Sequence, residues 1–253
     1  VLVVTALAYR RAGWQILGFA VSAVGAFILL NLPFSIWNRP DPMLMLCSAL
    51  GVLVIRSEIA EKRIYVAALL LGILGAASCS LKIFGGIYVA PLAMFLVVRE
   101  RSFAALFVMA AVGLTLVFVP FTLPVFSLGN YFGWFGHVAG KTFSLDLFWK
   151  AIRYSAFTIL PPIMVILYAF IRRQGGLRGF IAEPLVAYAA VMLLGFGACL
   201  MMATKPGAGM YYLLPFAPLA VDLMVRVLPT KAASNTRRQR LPAMLCLGLA
   251  MAT

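Results

Sequence analysis

The amino-acid sequence predicts an all-α polytopic bundle of transmembrane helices, and three observations lead to that prediction. Hydrophobic residues make up 64% of the 253 residues and charged residues only 11%, whereas soluble domains average about 45–50% apolar and about 25% charged residues. The apolar residues occur in runs that approach the roughly 20 residues a helix needs to cross a membrane. The basic residues fall in short clusters between these runs. We therefore expect one transmembrane domain over residues 1–253, with no soluble domain.

Eight apolar runs predict about eight full spans, several of them close to the lower length limit for crossing the hydrocarbon core. In chain order they are Trp14–Phe34, Pro42–Ile55, Ile64–Ser80, Ile83–Val98, Phe103–Phe126, Leu147–Ile171, Ala182–Thr204 and Met210–Pro229. Residues 1–9 and 241–253 read as partial spans, so we expect the sequence to be a piece of a longer protein.

The third and fourth runs are joined by only two residues, Leu81 and Lys82. This spacing leaves two alternatives, a tight helical hairpin or one long buried segment. Arginine clusters on both flanks and the Gly85-Gly86 pair near the junction favour the hairpin.

The basic residues divide into two sets that alternate along the chain, and this division predicts the orientation. The larger set holds 15 of the 21, namely Arg10, Arg11, Arg56, Lys62, Arg63, Arg99, Arg101, Arg172, Arg173, Arg178, Arg226, Lys231, Arg237, Arg238 and Arg240. The smaller set holds Arg39, Lys82, Lys141, Lys150, Arg153 and Lys205. The positive-inside rule places the larger set in the cytoplasm and the smaller set at the outward face. Because the net charge of +14 follows this pattern, we do not expect nucleic acid as a partner.

The common catalytic and metal-binding signatures are missing from the sequence. His137 is the only histidine, which excludes HExxH and multi-histidine metal sites, and there is no P-loop, GxGxxG or GxSxG motif. The four cysteines lie inside apolar stretches without a CxxC motif, and we interpret them as small buried side chains. The sequence therefore predicts no metal site and shows no evident cofactor.

Polar groups at the predicted outward face are the candidate functional residues. Arg39 and Asp41 lie in a Pro-rich turn, where they either shape the turn and offset a helix dipole or hold a charged headgroup. Lys82 lies in the turn between two short spans, where it either snorkels outwards or binds a lipid phosphate.

Two further groups of outward basic residues are candidates for binding an anion. Asp146, Lys150 and Arg153 have i, i+4, i+7 spacing on one helix face, which gives either an interfacial ion pair or an anion site. Lys205 precedes Pro206-Gly207-Ala208-Gly209 and the start of a span, which is either an ordinary turn or an anion site at a helix N-terminus.

Two other features have structural explanations. Asp222 has Arg226 four residues further on, which predicts an ion pair within one helix. The segment Asn130–Gly140 mixes aromatic residues with glycine, and we expect it to be a loop on the membrane surface.

Three segments together give the sequence a family resemblance. They are RPDP at residues 39–42, LKIFGGIYVAPLAMFLVVRER at 81–101, and KPGAG at 205–209 followed by YYLLPFAPLA at 211–220. From about residue 38 to residue 228 the chain resembles bacterial integral-membrane glycosyltransferases of the GT-C superfamily. The resemblance implies an enzyme of the bacterial inner membrane. Such an enzyme moves a sugar from a polyprenyl-phosphate carrier to a lipid, glycan or protein acceptor at the periplasmic face.

The resemblance also implies roles for particular residues. In this family, basic residues at the outer membrane boundary hold the carrier phosphate, and Lys82, Arg39 and Lys205 match that role by position. Lys150 and Arg153 are further candidates for it. The family's general base is a carboxylate in the first outward loop, upstream of this sequence, so Asp41 is a candidate site residue rather than the expected base. Some family members use a divalent metal and others need none, so the resemblance leaves open whether the full-length enzyme uses one.

Two other functions remain open from the sequence. A transporter or flippase for an anionic or lipid-linked solute would use the same outward cations as a vestibule, but would need polar residues at mid-membrane, which are sparse here. A non-catalytic membrane subunit is the third alternative. An acidic residue in the first outward loop of the longer protein would favour the transferase.

Overall fold

A computed structural model describes residues 1–31, 39–125, 127–140, 142–171, 180, 182–205 and 208–227, and the regular structure in this part of the chain is helical. The α-helices are α1 Leu2–Tyr9, α2 Trp14–Leu30, α3 Asp41–Arg56, α4 Glu58–Lys62, α5 Ile64–Leu81, α6 Ala90–Glu100, α7 Phe103–Phe118, α8 Leu128–Ala139, α9 Leu145–Ile171, α10 Pro184–Ala203 and α11 Ala217–Val227. Short 3-10 helices cover Gly85–Tyr88, Val119–Thr122 and Met210–Phe216.

Five helical segments of the described chain are long and apolar enough to cross a membrane, which identifies an α-helical membrane protein. They are Ile64–Leu81, Phe103–Thr122, Leu145–Ile171, Pro184–Ala203 and Met210–Val227. The described helices α2, α3 and α6 have 17, 16 and 11 residues, so the count of about eight full spans stays a prediction. Parts of the first and last predicted runs, and the partial span at 241–253, lie outside the described residues.

The two short spans around Lys82 form the predicted hairpin. The backbone of Lys82 is extended and ends α5, and the following 3-10 helix leads into α6, whose first turn holds Pro91. At the far end of α6, Nη2 of Arg99 donates a hydrogen bond of 2.8 Å to the carbonyl of Ala60, just before α5. The chain therefore runs back along α5, and the alternative of one long segment is excluded.

Members of the larger and the smaller set of basic residues lie at different ends of the bundle, in agreement with the division made from the sequence. At one end, which we call the basic end, the guanidinium of Arg56 lies 4.3 Å from the ring centre of Tyr9. At the same end, the guanidinium of Arg226 lies 4.2 Å from the ring centre of Phe95. The turn that holds Lys82 is at the other end of α5, which we call the opposite end. Which end faces the cytoplasm stays a prediction.

The segment Asn130–Gly140, expected to be a loop, is helical as far as Ala139 within α8, so the expectation of a loop was wrong. Its location on the membrane surface stays a prediction. The hydroxyl of Ser127 accepts a hydrogen bond from the amide of Asn130 at 3.3 Å, as a helix N-cap does. The carbonyl of Ser127 accepts one from the amide of Tyr131 at 3.1 Å. The glycines of this segment argued for a loop, while the serine before it was the signal for a helix start.

Candidate functional site

At the opposite end of the bundle, α3 and α5 bring Asp41 and Lys82 into a buried ion pair. Asp41 is the first residue of α3, and Lys82 follows the last residue of α5. The ammonium of Lys82 contacts Oδ1 of Asp41, with the side chain of Lys82 12% exposed and that of Asp41 1% exposed. Oδ2 of Asp41 is buried and has no hydrogen-bond partner among the described residues.

Two tyrosines of the 3-10 helix Met210–Phe216 surround this ion pair. Nζ of Lys82 lies 3.7 Å from the ring centre of Tyr212 and 5.2 Å from that of Tyr211. The guanidinium of Arg39 lies 4.4 Å from the ring centre of Tyr211. The hydroxyl of Tyr88 donates a hydrogen bond of 2.7 Å to the backbone carbonyl of Tyr212, which fixes the 3-10 helix against the hairpin. Aromatic faces attract cations and hold them in place.

We call Arg39, Asp41, Lys82, Tyr211 and Tyr212 the Lys82 cluster. It combines two cations with one carboxylate, so its formal charge is positive. Burial lowers the pKa of the Lys82 ammonium, and the adjacent Asp41 carboxylate acts in the opposite direction. The cluster can attract an anion that approaches from the exposed side of Arg39.

The structure brings together three of the predicted site residues, Arg39, Asp41 and Lys82. Lys150 forms an ion pair of 2.8 Å with Asp146, with side chains 57% and 71% exposed, as the i, i+4 spacing predicts. Arg153 is exposed on the same helix, α9. For these two residues a role in binding the carrier phosphate stays a prediction.

Lys205 lies half-buried in the turn after α10. The neighbouring Thr204 accepts a hydrogen bond of 3.1 Å on its carbonyl from the amide of Ser144, which connects this turn to the start of α9. Residues 206 and 207 lie outside the described part of the chain, and the span that follows begins as a 3-10 helix. Binding of an anion at Lys205 stays a prediction.

One group of contacts at the basic end was missed by sequence reasoning. The predicted pair of Asp222 and Arg226 is confirmed, with 2.7 Å between Oδ2 and Nε. Asp222 also contacts Nε of Arg56 and accepts a hydrogen bond of 3.1 Å from the hydroxyl of Tyr9. Arg56 and Asp222 are 166 residues apart in the sequence, where Arg56 appears only as one of many topology-setting cations.

No group of three or more histidine, cysteine, aspartate or glutamate side chains in the described ranges could hold a metal ion. Asp41 has a lysine beside it rather than a second carboxylate. The described thiols of Cys47, Cys79 and Cys199 are free, and Cys246 lies outside the described residues.

Comparisons with protein-family models, with curated proteins and with solved structures find no match. The class of this protein therefore rests on its fold and its site alone. It is an α-helical membrane protein with a buried, aromatic-walled ion pair at the opposite end of its bundle.

Proposed function

We propose that this protein is a membrane glycosyltransferase that moves a sugar from a polyprenyl-phosphate carrier to a lipid, glycan or protein acceptor. In this proposal the opposite end of the bundle faces the periplasm of a bacterium, and the Lys82 cluster holds the carrier phosphate. The observation that carries the proposal is the cluster itself, which places Arg39 and Lys82 around one carboxylate at the predicted outward boundary.

The chemistry of the proposed reaction needs cations at this position. The acceptor hydroxyl attacks the anomeric carbon of the sugar, and the bond between that carbon and the phosphate oxygen breaks. The carrier phosphate leaves with the bonding electrons, and the hydroxyl proton passes to a carboxylate base. The positive charges of Lys82 and Arg39 stabilise the negative charge that develops on the leaving phosphate. A boundary that excludes water strengthens this stabilisation.

Asp41 is a positioning residue in this proposal. Its Oδ1 contacts the Lys82 ammonium and keeps the flexible lysine at the end of α5. Tyr212 supports the ammonium from another side without adding a formal negative charge. In the family that the sequence resembles the general base is a carboxylate of the first outward loop, and we assign that role to no residue of this sequence.

The test is binding of a polyprenyl phosphate by the full-length protein carrying Lys82→Ala. Loss of a charge-assisted contact to the phosphate should weaken binding by about tenfold or more. Lys62→Ala is the matched control, because it removes the same charge from an exposed pair at the basic end. Lys82→Arg keeps a cation next to Asp41 and should retain part of the binding. Wild-type affinity in Lys82→Ala, with the protein folded, would reject the proposed site.

A second measurement separates transfer from transport. We expect purified full-length protein to form a labelled glycoside when it receives a polyprenyl-phosphate sugar and an acceptor. Movement of the carrier across proteoliposomes without transfer would instead favour a flippase, and absence of both activities a non-catalytic subunit. The buried hydroxyls of Ser48, Ser155 and Thr158 bond to carbonyls of their own helices, which argues against a polar path between the described helices.

A further inference from the structure

The basic end contains a buried carboxylate that joins two arginines from different helices. Asp222 is fully buried, and its Oδ2 accepts a hydrogen bond of 2.7 Å from Nε of Arg226. Its Oδ1 contacts Nε of Arg56 and accepts a bond of 3.1 Å from the hydroxyl of Tyr9. The carboxylate therefore fixes the two guanidinium groups relative to each other, using one nitrogen of each.

This cluster carries one more positive charge than negative charge. Asp222 supplies one carboxylate for two guanidinium groups, whose side chains are only 16% and 17% exposed. The acid Glu58, also at the basic end, pairs with Arg11 and Lys62 instead. A largely buried charge is costly unless an opposite charge or hydrogen-bond acceptors compensate it.

The guanidinium groups also have hydrogen-bonding capacity that the described residues do not use. Nη2 of Arg56 and Nη2 of Arg226 are both buried, and neither has an acceptor among the described residues. One face of each guanidinium lies on an aromatic ring, Tyr9 for Arg56 and Phe95 for Arg226. Guanidinium groups held in this way bind phosphate oxygens through their N–H edges.

The location of the cluster fits a ligand at the membrane boundary. Tyr9 is the last residue of α1 and Arg56 is the last residue of α3. Asp222 and Arg226 lie in the final turns of the described part of α11. Phosphates of anionic lipid headgroups lie at this depth, and they are attracted to basic residues at helix ends.

We propose that Arg56 and Arg226 bind one phosphate-type anion at the basic end, with Asp222 holding their guanidinium groups in register. The anion is either the phosphate of an anionic lipid headgroup or free inorganic phosphate. Its charge compensates the surplus positive charge of the cluster, and its oxygens accept bonds from the unused guanidinium nitrogens. This inference is independent of the glycosyltransferase proposal, because it concerns the other end of the bundle.

The experiment compares two probes on the full chain. Delipidated protein in a neutral detergent is heated with inorganic phosphate or with chloride at the same ionic strength. In parallel, protein in phosphatidylcholine nanodiscs is compared with protein in nanodiscs that contain phosphatidylglycerol. A rise in unfolding temperature with both probes supports a small-anion site, and a rise with phosphatidylglycerol alone supports a lipid site. No rise with either probe overturns the proposal.

Lysine variants test whether the two arginines carry the effect. Arg56→Lys and Arg226→Lys keep a cation near Asp222, so the protein should fold, but they remove the Nη atoms. Each should weaken apparent binding by about tenfold, because charge-assisted bonds to the phosphate are lost. Arg63→Lys is the matched control, since Arg63 is exposed at the same end of the bundle. Equal weakening in Arg63→Lys, or none in either test variant, contradicts a site at Arg56 and Arg226.

Discussion

Replacing Asp222 by asparagine should strongly destabilise the bundle. The change keeps the side-chain shape but removes the negative charge to which both Arg56 and Arg226 are bonded. The amide nitrogen that replaces one carboxylate oxygen is a donor, so it cannot accept a bond from an arginine or from the hydroxyl of Tyr9. Two cations that are mostly buried then remain close together without their shared counter-charge.

The contacts give the magnitude of this effect. Breaking a buried ion pair by removing one partner costs about 3–5 kcal/mol. Asp222 is 0% exposed and has two charged partners and one neutral one, which favours the upper part of that range. A change of about 1 kcal/mol shifts the unfolding temperature of a chain of this size by roughly 2–4 °C, so the expected drop is on the order of 10 °C.

The assay is thermal unfolding of the purified protein in detergent, followed by circular dichroism and by size-exclusion chromatography. Asp146→Asn is the matched control, because Asp146 makes one exposed i, i+4 pair with Lys150. An exposed pair of this kind contributes about 0–1 kcal/mol, so the control should unfold close to the wild type. The reasoning is refuted if Asp222→Asn unfolds at the same temperature as Asp146→Asn.

Two other changes test the hairpin and the basic end. In Gly85→Ala the new Cβ would overlap the carbonyl oxygen of Ser78, which is a backbone atom. We therefore expect the free energy of unfolding, measured by thermal unfolding, to fall by about 1–3 kcal/mol. Gly75→Ala is the control, because its Cβ meets no atom within 4 Å and stability should not change. Hydrogen bonds from Lys62 and Arg11 lower the pKa of Glu58 to about 2. The contribution of this carboxylate to folding stability should therefore be present above its ordinary pKa of 4.5 and be lost as the pH falls toward 2. A carbon-13 NMR titration should place the midpoint near 2 in the wild type and closer to 4.5 in Lys62→Gln.

The sequence predicts the long helices well, because their boundaries depend on local properties. The predicted run Ile64–Ser80 corresponds to the helix Ile64–Leu81, and the predicted run Ala182–Thr204 corresponds to Pro184–Ala203. Hydrophobic length sets these limits, together with the proline in the first turn of the second helix, without reference to the rest of the fold. The shorter helices are harder to interpret, because apolar helices of 11 or 16 residues fit a tilted span as well as a buried segment.

Contacts between residues far apart in the sequence could be predicted only in part. The sequence places Arg39, Asp41 and Lys82 at one face through the alternation of basic clusters, and the structure brings the three together. It does not show that Asp41 and Lys82 form a pair, since they lie 41 residues apart. The bond between Asp222 and Arg56 was missed for the same reason. Helical spacing reveals partners four residues apart, whereas partners on other helices depend on how the helices pack.

Exchanging the charges of the Asp41–Lys82 pair separates its structural role from its proposed role in binding. Asp41→Lys or Lys82→Asp alone leaves two like charges side by side in a buried position, and each should lose about 3–5 kcal/mol. The double variant restores an ion pair, although it puts a cation at the N-terminus of α3 and an anion at the C-terminus of α5. Each placement opposes the helix dipole and costs about 0.3–1 kcal/mol, so stability should recover largely but not fully.

Polyprenyl-phosphate binding should respond differently to the same exchange. The double variant has the wild-type net charge, but the cation has moved away from its place 3.7 Å from the ring centre of Tyr212. If the phosphate binds to an ammonium at that position, the double variant should fold and still bind about tenfold more weakly than the wild type. Recovery of binding together with stability would mean that the pair serves only to hold α3 against α5. The proposed phosphate site at Lys82 would then be wrong.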